Sequence, residues 1–493
     1  MTKTEEQITA LYIDLFCGAG GTSSGVEYAT VDGRKCAEVI ACVNHDANAI
    51  KSHAANHPKT MHFTEDIRTL DLTQLVLHTM AKRNEHPHAR LVLWASLECT
   101  NFSKAKGGQP RDADSRTLAE HLFRYIEALQ PDYVEIENVE EFMCWGELDE
   151  HGKPVSKRRG TSYIQWVRHV MDYGYDYDWR LLNAADFGAY TSRKRFFGLF
   201  ARKGLPIAFP EQTYAKTTVP LASGKDDEEG AYHPNPDWSE LFPGFYKPWK
   251  PVREVLDLDD DGESIFVRRK PLCEKTLERI YAGLVKFVAG GKKRHEAWIL
   301  KFNSMNQQNH HNAPSIDEPM PTVPTKDRFA LVTSQFLDNQ YGKSKPTSIE
   351  APAPTLLNNP KQKIVSAQYL MNPYSFKSDG GSIDKPCFTL IARMDKMPPY
   401  LVSTEQGVGI AIYEDDSPMT RKVKEFMAMY GIIDIKMRML KIVELKRIMG
   451  FPTDYVLIGT QSEQKKFIGN AVEVNMSRVL CEALCRKLMD KTA

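Results

Sequence analysis

Cys99 lies between a carboxylate and a hydroxyl in Ser96-Leu97-Glu98-Cys99-Thr100-Asn101-Phe102-Ser103, directly after the apolar run Leu91–Ala95. A thiol at the carboxyl end of a buried strand is well placed to act as a nucleophile. The stretch Lys104–Arg111 that follows carries Gly107 and Gly108 and reads as a loop able to cover such a site. A lone cysteine there is also what a buried, inert side chain looks like. Glu137 ends the apolar run Tyr133–Ile136, and Arg193 and Arg195 belong to a basic turn that opens into Phe196–Phe200. Taken alone, Glu137 is equally a solvated strand-end carboxylate. What gives these residues weight is whether the chain brings their strand ends to one edge.

The elements that must position them alternate. Leu11–Phe16 breaks into Cys17-Gly18-Ala19-Gly20-Gly21, and a helix follows with Ser23 or Ser24 near its start. A strand, a glycine turn and a helix open a nucleotide-binding α/β unit, because glycines let the backbone approach a ligand at a helix N-terminus. The G-x-G-x-x-G pattern fails at Ser23, and a tight strand–helix connection explains the glycines as well. A second strand, Glu38–Val43, ends in Asn44-His45-Asp46, where such folds hold a ribose. A helix over Ala47–Asn56 follows, and Glu65-Asp66-Ile67 ends a short third strand. Leu118, Leu122, Ile126 and Leu129 have helical spacing before Pro131. A helix over Tyr163–Met171, a strand over Trp179–Asn183 and the strand after Arg195 complete the alternation. It predicts a parallel doubly wound sheet over residues 8–205.

At 493 residues the chain has room for two or three domains. No apolar run approaches the ~20 residues of a membrane span, and the polar N-terminus has no signal-peptide core. The nine cysteines are scattered, without the paired short spacings of a zinc site, so they predict free thiols, a cytoplasmic setting and no metal. Zero net charge leaves nucleic-acid binding open, since a basic groove can sit on a neutral protein.

The composition changes after Pro206. Two acidic runs, Asp226–Glu229 and Asp257–Asp261, read as solvated loops. Phe266–Lys301 is basic, with Leu277, Ile280, Leu284 and Phe287 at helical spacing; it suits a phosphate backbone or a solvated face. Ser315-Ile316-Asp317-Glu318-Pro319 returns at Ser348 and again at Ser382, offsets of 33 and 34 residues, each copy flanked by apolar runs. These segments predict a β-rich second domain. Asn306–His311 and Asn358–Lys361 carry amides suited to base edges or to plain turns. Helical spacing resumes at Met439–Met449, stopped by Gly450-Phe451-Pro452, and a last amphipathic helix covers Val474–Met489.

In order along the chain, these segments resemble the cytosine-C5 DNA methyltransferase family. Asp14–Gly21 looks like its S-adenosylmethionine loop, and Leu97–Ser103 stands in the place of its Pro-Cys-Gln motif. Glu137-Asn138-Val139 matches its Glu-Asn-Val, and Arg193 and Arg195 match its arginine pair. Arg438–Pro452, with Glu444, and Gly469–Val472 look like its last two motifs. The departures are Glu98 and Thr100 around the cysteine, Thr191 for the usual Gln, and Asn44-His45 for the acidic ribose ligand and its aromatic neighbour.

The resemblance implies a doubly wound mixed α/β sheet over 8–205 that binds the cofactor. It implies a smaller β-rich target-recognition domain over 206–435 and a return to the catalytic domain over 436–493. It implies S-adenosylmethionine as cofactor, double-stranded DNA as partner, and a monomer with neither metal nor membrane. Cys99, Glu137, Arg195 and Arg193 are the implied catalytic groups. The implied cofactor site is Phe16, Gly18, Ala19, Gly20, Gly21, Asn44, His45, Asp66, Ile67, Leu118, Asn470 and Val472. The reaction would add the Cys99 thiolate to C6 of a flipped-out cytosine and methylate C5. Glu98 is expected to point away from the sulfur, since a like charge would raise the thiol pKa. The alternatives are RNA as substrate, a different transferred group, or a catalytically silent DNA-binding relative. A nicotinamide oxidoreductase fits Ser23 and Asn44 poorly.

Overall fold

The structure is a computed structural model. It describes residues 8–97, 118–146, 160–216, 246–285, 297–301, 329–339, 362–372, 381–382, 400–406, 411–430 and 432–492. Cys99, the 104–116 loop, Asp226–Glu229, Phe287, the amide-rich loops and the repeats at 315 and 348 lie outside the described residues.

The first sheet has seven strands: β1 (Ala10–Leu15), β2 (Ala37–Val43), β3 (Met61–Phe63), β4 (Arg90–Ser96), β5 (Tyr133–Asn138), β6 (Tyr175–Asn183) and β7 (Lys194–Arg202), in the order β3-β2-β1-β4-β5-β7-β6. The first five are parallel. They are continuous apolar runs because helices cover both faces. Helix α1 (Gly21–Tyr28) packs on one face with the last helix, and α2 (Ala47–Asn56) follows β2 as the sequence predicts. Helices α3 (Thr73–Glu85), α4 (Leu122–Leu129) and α5 (Thr161–Asp172) cover the other face.

The all-parallel expectation from strand–helix alternation is corrected at the far edge, where β7 runs antiparallel to both β5 and β6. The cause is connection length. Residues 184–193 are too few for the dozen or more that a parallel crossover needs, so β7 turns straight back and inserts between β5 and β6. Strand β6 also starts at Tyr175, ahead of the predicted Trp179. Its Tyr-Asp-Tyr-Asp start is an alternating edge pattern rather than a buried run.

A second seven-stranded sheet holds β8 (Glu263–Ser264), β9 (Ala297–Lys301), β10 (Phe329–Asn339), β11 (Gln362–Asn372), β12 (Gly381–Ser382), β13 (Tyr400–Gln406) and β14 (Ile432–Met439), in the order β8-β14-β13-β10-β9-β11-β12. Its main pairings are antiparallel. The apolar runs flanking the sequence repeats become these strands: Phe329–Val332 and Phe336-Leu337 share β10, and Ile364-Val365 and Tyr369-Leu370 share β11.

The basic segment forms α6 (Glu274–Leu284), whose Leu277, Ile280 and Leu284 pack with Val423, Phe426 and Met427 of α7 (Pro418–Tyr430). The Asp257–Asp261 run is more than a solvated loop. Asp257 and Asp260 reach Lys441 at 2.6 and 2.9 Å, and the Asp257 N–H donates to Glu444 at 2.7 Å. That brings the run onto α8 (Ile442–Ile448), the first helix of the C-terminal return. Helices α9 (Gln461–Asn470) and α10 (Val474–Thr492) complete it.

Candidate active site

The turn after β1 is shaped by positive φ angles at Phe16 (61°), Gly18 (53°) and Gly20 (103°). The three glycines then divide by what they face. A Cβ at Gly20 would lie 2.4 Å from Tyr455 Oη, and one at Gly21 would lie 2.4 Å from the Val472 carbonyl oxygen. These two are required because the C-terminal return presses on them. A Cβ at Gly18 would meet nothing within 4 Å, so its side of the turn is the one a ligand can approach. Tyr455 Oη donates to the Ala19 carbonyl at 2.5 Å, and Val472 is buried against the sheet with α10. Asn470 ends α9 and is exposed.

The other predicted cofactor residues line the same carboxyl edge. Asn44 and the exposed His45 follow β2; the Asn44 side chain accepts the Asp46 N–H at 2.9 Å, tightening the entry to α2. Asp66 and Ile67 follow β3. Asp66 is bonded by Arg68 at 2.6 Å, and that hydrogen bond holds its carboxyl below the usual range. Buried Ile67 offers its carbonyl to Tyr125 Oη and Arg124, both at 3.0 Å, which moors the β3 exit to α4. Leu118 packs half-buried beside the same core. The structure thus brings Phe16–Gly21, Asn44-His45 and Asp66-Ile67 to three neighbouring strand ends.

At the next strand ends the charged groups converge. Glu137 lies beside Ser96 in the β4–β5 register, and Phe197 lies opposite it on β7. Arg195 Nε is 3.3 Å and Arg193 Nη2 3.9 Å from Glu137 Oε1, and all three residues are buried. Arg193 also donates to the Gly469 carbonyl at 3.3 Å, and Arg195 to Lys194 at 2.8 Å. The Glu137 contacts are ion pairs without hydrogen-bond alignment, and Oε1 has no hydrogen-bond partner among the described residues. A buried carboxylate held by two guanidiniums yet left with bonding capacity can take a donor from a substrate. Asn138 Nδ2 donates to the Leu97 carbonyl at 3.4 Å, so the residue after Glu137 anchors the chain just ahead of Glu98 and Cys99.

Sequence reasoning missed Tyr455 altogether, and it named Asp14, Arg438 and Glu444 within motifs without reading the contacts they make. Tyr455 is separated from Ala19 by most of the chain, and no local pattern marks it. Buried Asp14 accepts from Ser23 Oγ at 2.7 Å, and burial raises its carboxyl to about 8; an acid inside an apolar strand was the available signal. Arg438 makes a two-pronged pair with Glu444, at 3.0 and 2.9 Å, which also caps α8 by accepting the Lys441 N–H at 2.6 Å.

Residues 11–486 match the family described as C-5 cytosine-specific DNA methylase. The type II methyltransferase M.XorII of Xanthomonas oryzae pv. oryzae is 33% identical over 219 residues, 43% of this chain and 45% of that protein. The type II methyltransferase M1.HphI of Haemophilus parahaemolyticus is 27% identical over 207 residues, 42% of this chain and 49% of that protein. The chain spans about half the length of these relatives. A crystal structure of a Spodoptera frugiperda DNMT2 mutant shares 14% identity at a TM-score of 0.48, covering 97% of this chain and 99% of that one.

Proposed function

The chain belongs to the C-5 cytosine-specific DNA methylase family, and from that premise we propose that it methylates C5 of cytosine in double-stranded DNA. The observation that carries this reading is the buried Glu137–Arg195–Arg193 group at the carboxyl end of β5, beside the strand that leads to Cys99. The Phe16–Gly21 turn, Asn44, Asp66 and Ile67 suit S-adenosylmethionine: Gly18 leaves its side of the turn open, and the flanking strand ends offer polar and apolar groups. When bound, S-adenosylmethionine supplies an electrophilic methyl group on a sulfonium.

The residues do the rest. Cytosine C5 is a weak nucleophile until the Cys99 thiolate bonds C6 and pushes the ring electrons onto C5. Glu137 accepts from the exocyclic amine and holds the protonated N3, using the bonding capacity its arginines leave. Arg195 binds O2, and Arg193 pairs with Glu137 and ties it to Gly469. After methylation, loss of the C5 proton to water returns an electron pair to the ring and expels Cys99. The target base leaves the stack to reach this edge. The second sheet, apart from the last residues of β14, falls in the 206–435 region that we assign to target recognition, between catalytic segments 8–205 and 436–493.

The test is trapping. DNA containing 5-fluorocytosine, with S-adenosylmethionine, should give a covalent adduct that disappears in Cys99→Ser. Duplex binding with no adduct on any sequence would instead establish a silent DNA-binding protein, which Glu98 and Thr100 around the cysteine would then explain.

A further inference from the structure

Cys42 stands in register with Asp14 of β1 on one side and His62 of β3 on the other. Registered neighbours in a parallel sheet project to the same face, so a carboxyl, a thiol and an imidazole form one row on the α1–α2 side. Two further groups close on that row. Cys17 is drawn in as its N–H donates to the Val43 carbonyl at 3.3 Å, and His53 enters fully buried from α2. The sulfurs of Cys17 and Cys42 and a ring nitrogen of His53 lie within 4.8 Å of one another, all buried. Cys42 also touches His62, whose Nε2 is 2.9 Å from His53 Nδ1. Cys17 and Cys42 are both thiols.

We propose that Cys17, Cys42, His53 and His62 form a four-coordinate site for zinc, or a comparably soft divalent cation, directly beneath the Phe16–Gly21 turn. Two thiolates and two imidazoles are a tetrahedral zinc donor set. Bond lengths of ~2.0–2.3 Å place neighbouring donors ~3.3–3.8 Å apart; Cys17, Cys42 and His53 already lie within 4.8 Å of one another, and the His53 and His62 nitrogens, now 2.9 Å apart, would open by less than about 1 Å to take the ion. The second layer fits as well. His53 turns its other nitrogen, Nε2, to Ser23 Oγ at 2.8 Å, and Ser23 donates to Asp14 Oδ2 at 2.7 Å. Ligating histidines use such partners to fix the tautomer and the ring plane.

Without a metal, two thiols and two imidazoles replace apolar packing in a parallel-sheet core, where burying polar groups is costly. The four donors come from the turn after β1, from β2, from α2 and from β3. One ion would therefore fasten the cofactor turn to three other elements. This departs from the expectation of no metal, because the sequence spacing of 17, 42, 53 and 62 has no short pair; the fold creates the cluster. The inference does not depend on which base or nucleic acid is modified.

The full chain, purified under reducing conditions, should hold about one equivalent of zinc. Cobalt(II) in its place should give tetrahedral visible bands and a sulfur-to-cobalt charge-transfer band. Cys42→Ser should lose the charge-transfer intensity and reduce bound metal at least tenfold, while Cys273→Ser, an exposed cysteine at the start of α6, should leave both unchanged. His62→Gln should weaken cobalt affinity at least tenfold and keep the sulfur band. Because Cys42→Ser could fail to fold, the unsubstituted protein decides on its own. A folded chain that takes up neither zinc nor cobalt, a cobalt spectrum without sulfur ligation, or a Cys17–Cys42 disulfide in metal-free protein would each overturn the proposal.

Discussion

At the glycine turn, protein presses on protein: Tyr455 Oη and the Val472 carbonyl occupy the space that side chains at Gly20 and Gly21 would need, and Tyr455 bonds Ala19. Two strand ends away, Glu137 is as buried but keeps Oε1 without a hydrogen bond among the described residues. One end of the edge is bonded shut by the C-terminal return; the other holds charge in reserve. A cofactor site needs a fixed backbone shape, and internal bonds supply it. A site that stabilises charge during a reaction needs groups not yet satisfied, since bonds already made cannot strengthen in the transition state. Substitutions at the first end should therefore act through stability and cofactor affinity, and those at the second through rate.

The largest effect should come from the second end. Glu137→Gln keeps the shape and removes the charge that the two arginines hold. Single-turnover methylation should fall about 10²–10⁴-fold, in the range of a lost acid–base group, and by more than the accompanying fall in melting temperature, which the buried arginine charge left behind will cause, accounts for. A fall in melting temperature with an intact rate would reverse the assignment and make Glu137 a structural residue.

Next, the glycines should separate. Gly20→Ala combines a φ of 103° with a 2.4 Å approach to Tyr455. Left-handed strain and overpacking together should cost about 2–5 kcal/mol, read as a lower denaturant midpoint. Gly18→Ala meets no clash and should cost about 1–2 kcal/mol, yet lose more S-adenosylmethionine affinity than its stability loss accounts for. Equal affinity and stability losses in the two variants would erase the distinction between a packed and a ligand-facing glycine.

How much of this edge the sequence discloses follows the same division. Buried parallel strands are runs of apolar residues, so β1, β2, β4 and β5 are legible to within a few residues, and α2 is legible at both ends, helped by the Asp46 cap. Strand-end chemistry is legible too, and Glu137, Arg193 and Arg195 meet because their strands end on one edge or turn there. What is hidden depends on partners far away in the chain. The glycines read as ligand contacts, but Gly20 and Gly21 answer to residues 455 and 472. The insertion of β7 between β5 and β6 is a matter of connection length, not of composition. The tie between Arg438 and Glu444 joins two residues whose motif is visible, whereas its extension to Asp257 is not.

Glu135 sharpens the comparison by being buried without a role at the edge. It is two residues before Glu137 on the same strand, both its oxygens lack hydrogen bonds among the described residues, and burial raises its carboxyl from 4.5 to about 8. The folded chain then binds the proton more tightly than the unfolded one. Its contribution is intact below pH 4.5 and is lost as pH rises through 8. At ~1.4 kcal/mol per pKa unit, a rise from 4.5 to about 8 corresponds to a loss of about 5 kcal/mol. Urea unfolding of the parent should weaken between pH 5 and 9, and Glu135→Gln should reduce that slope, leaving the share due to buried Asp14. A slope unchanged in Glu135→Gln would place the pH sensitivity elsewhere.

The smallest expected change is the most selective. Tyr455→Phe removes one oxygen and no packing volume. It leaves the Ala19 carbonyl without its 2.5 Å donor and takes one of two partners from His57 Nε2, which keeps Ser24 at 3.2 Å. A lost neutral hydrogen bond is worth about 1 kcal/mol, so the denaturant midpoint should shift slightly. If the C-terminal return shapes the turn through this bond, the KM for S-adenosylmethionine should rise several-fold with kcat held, because nothing at Glu137 has changed. A fall in kcat at constant KM would mean that the two ends of the edge are coupled, and that the bonded end does more than hold its shape.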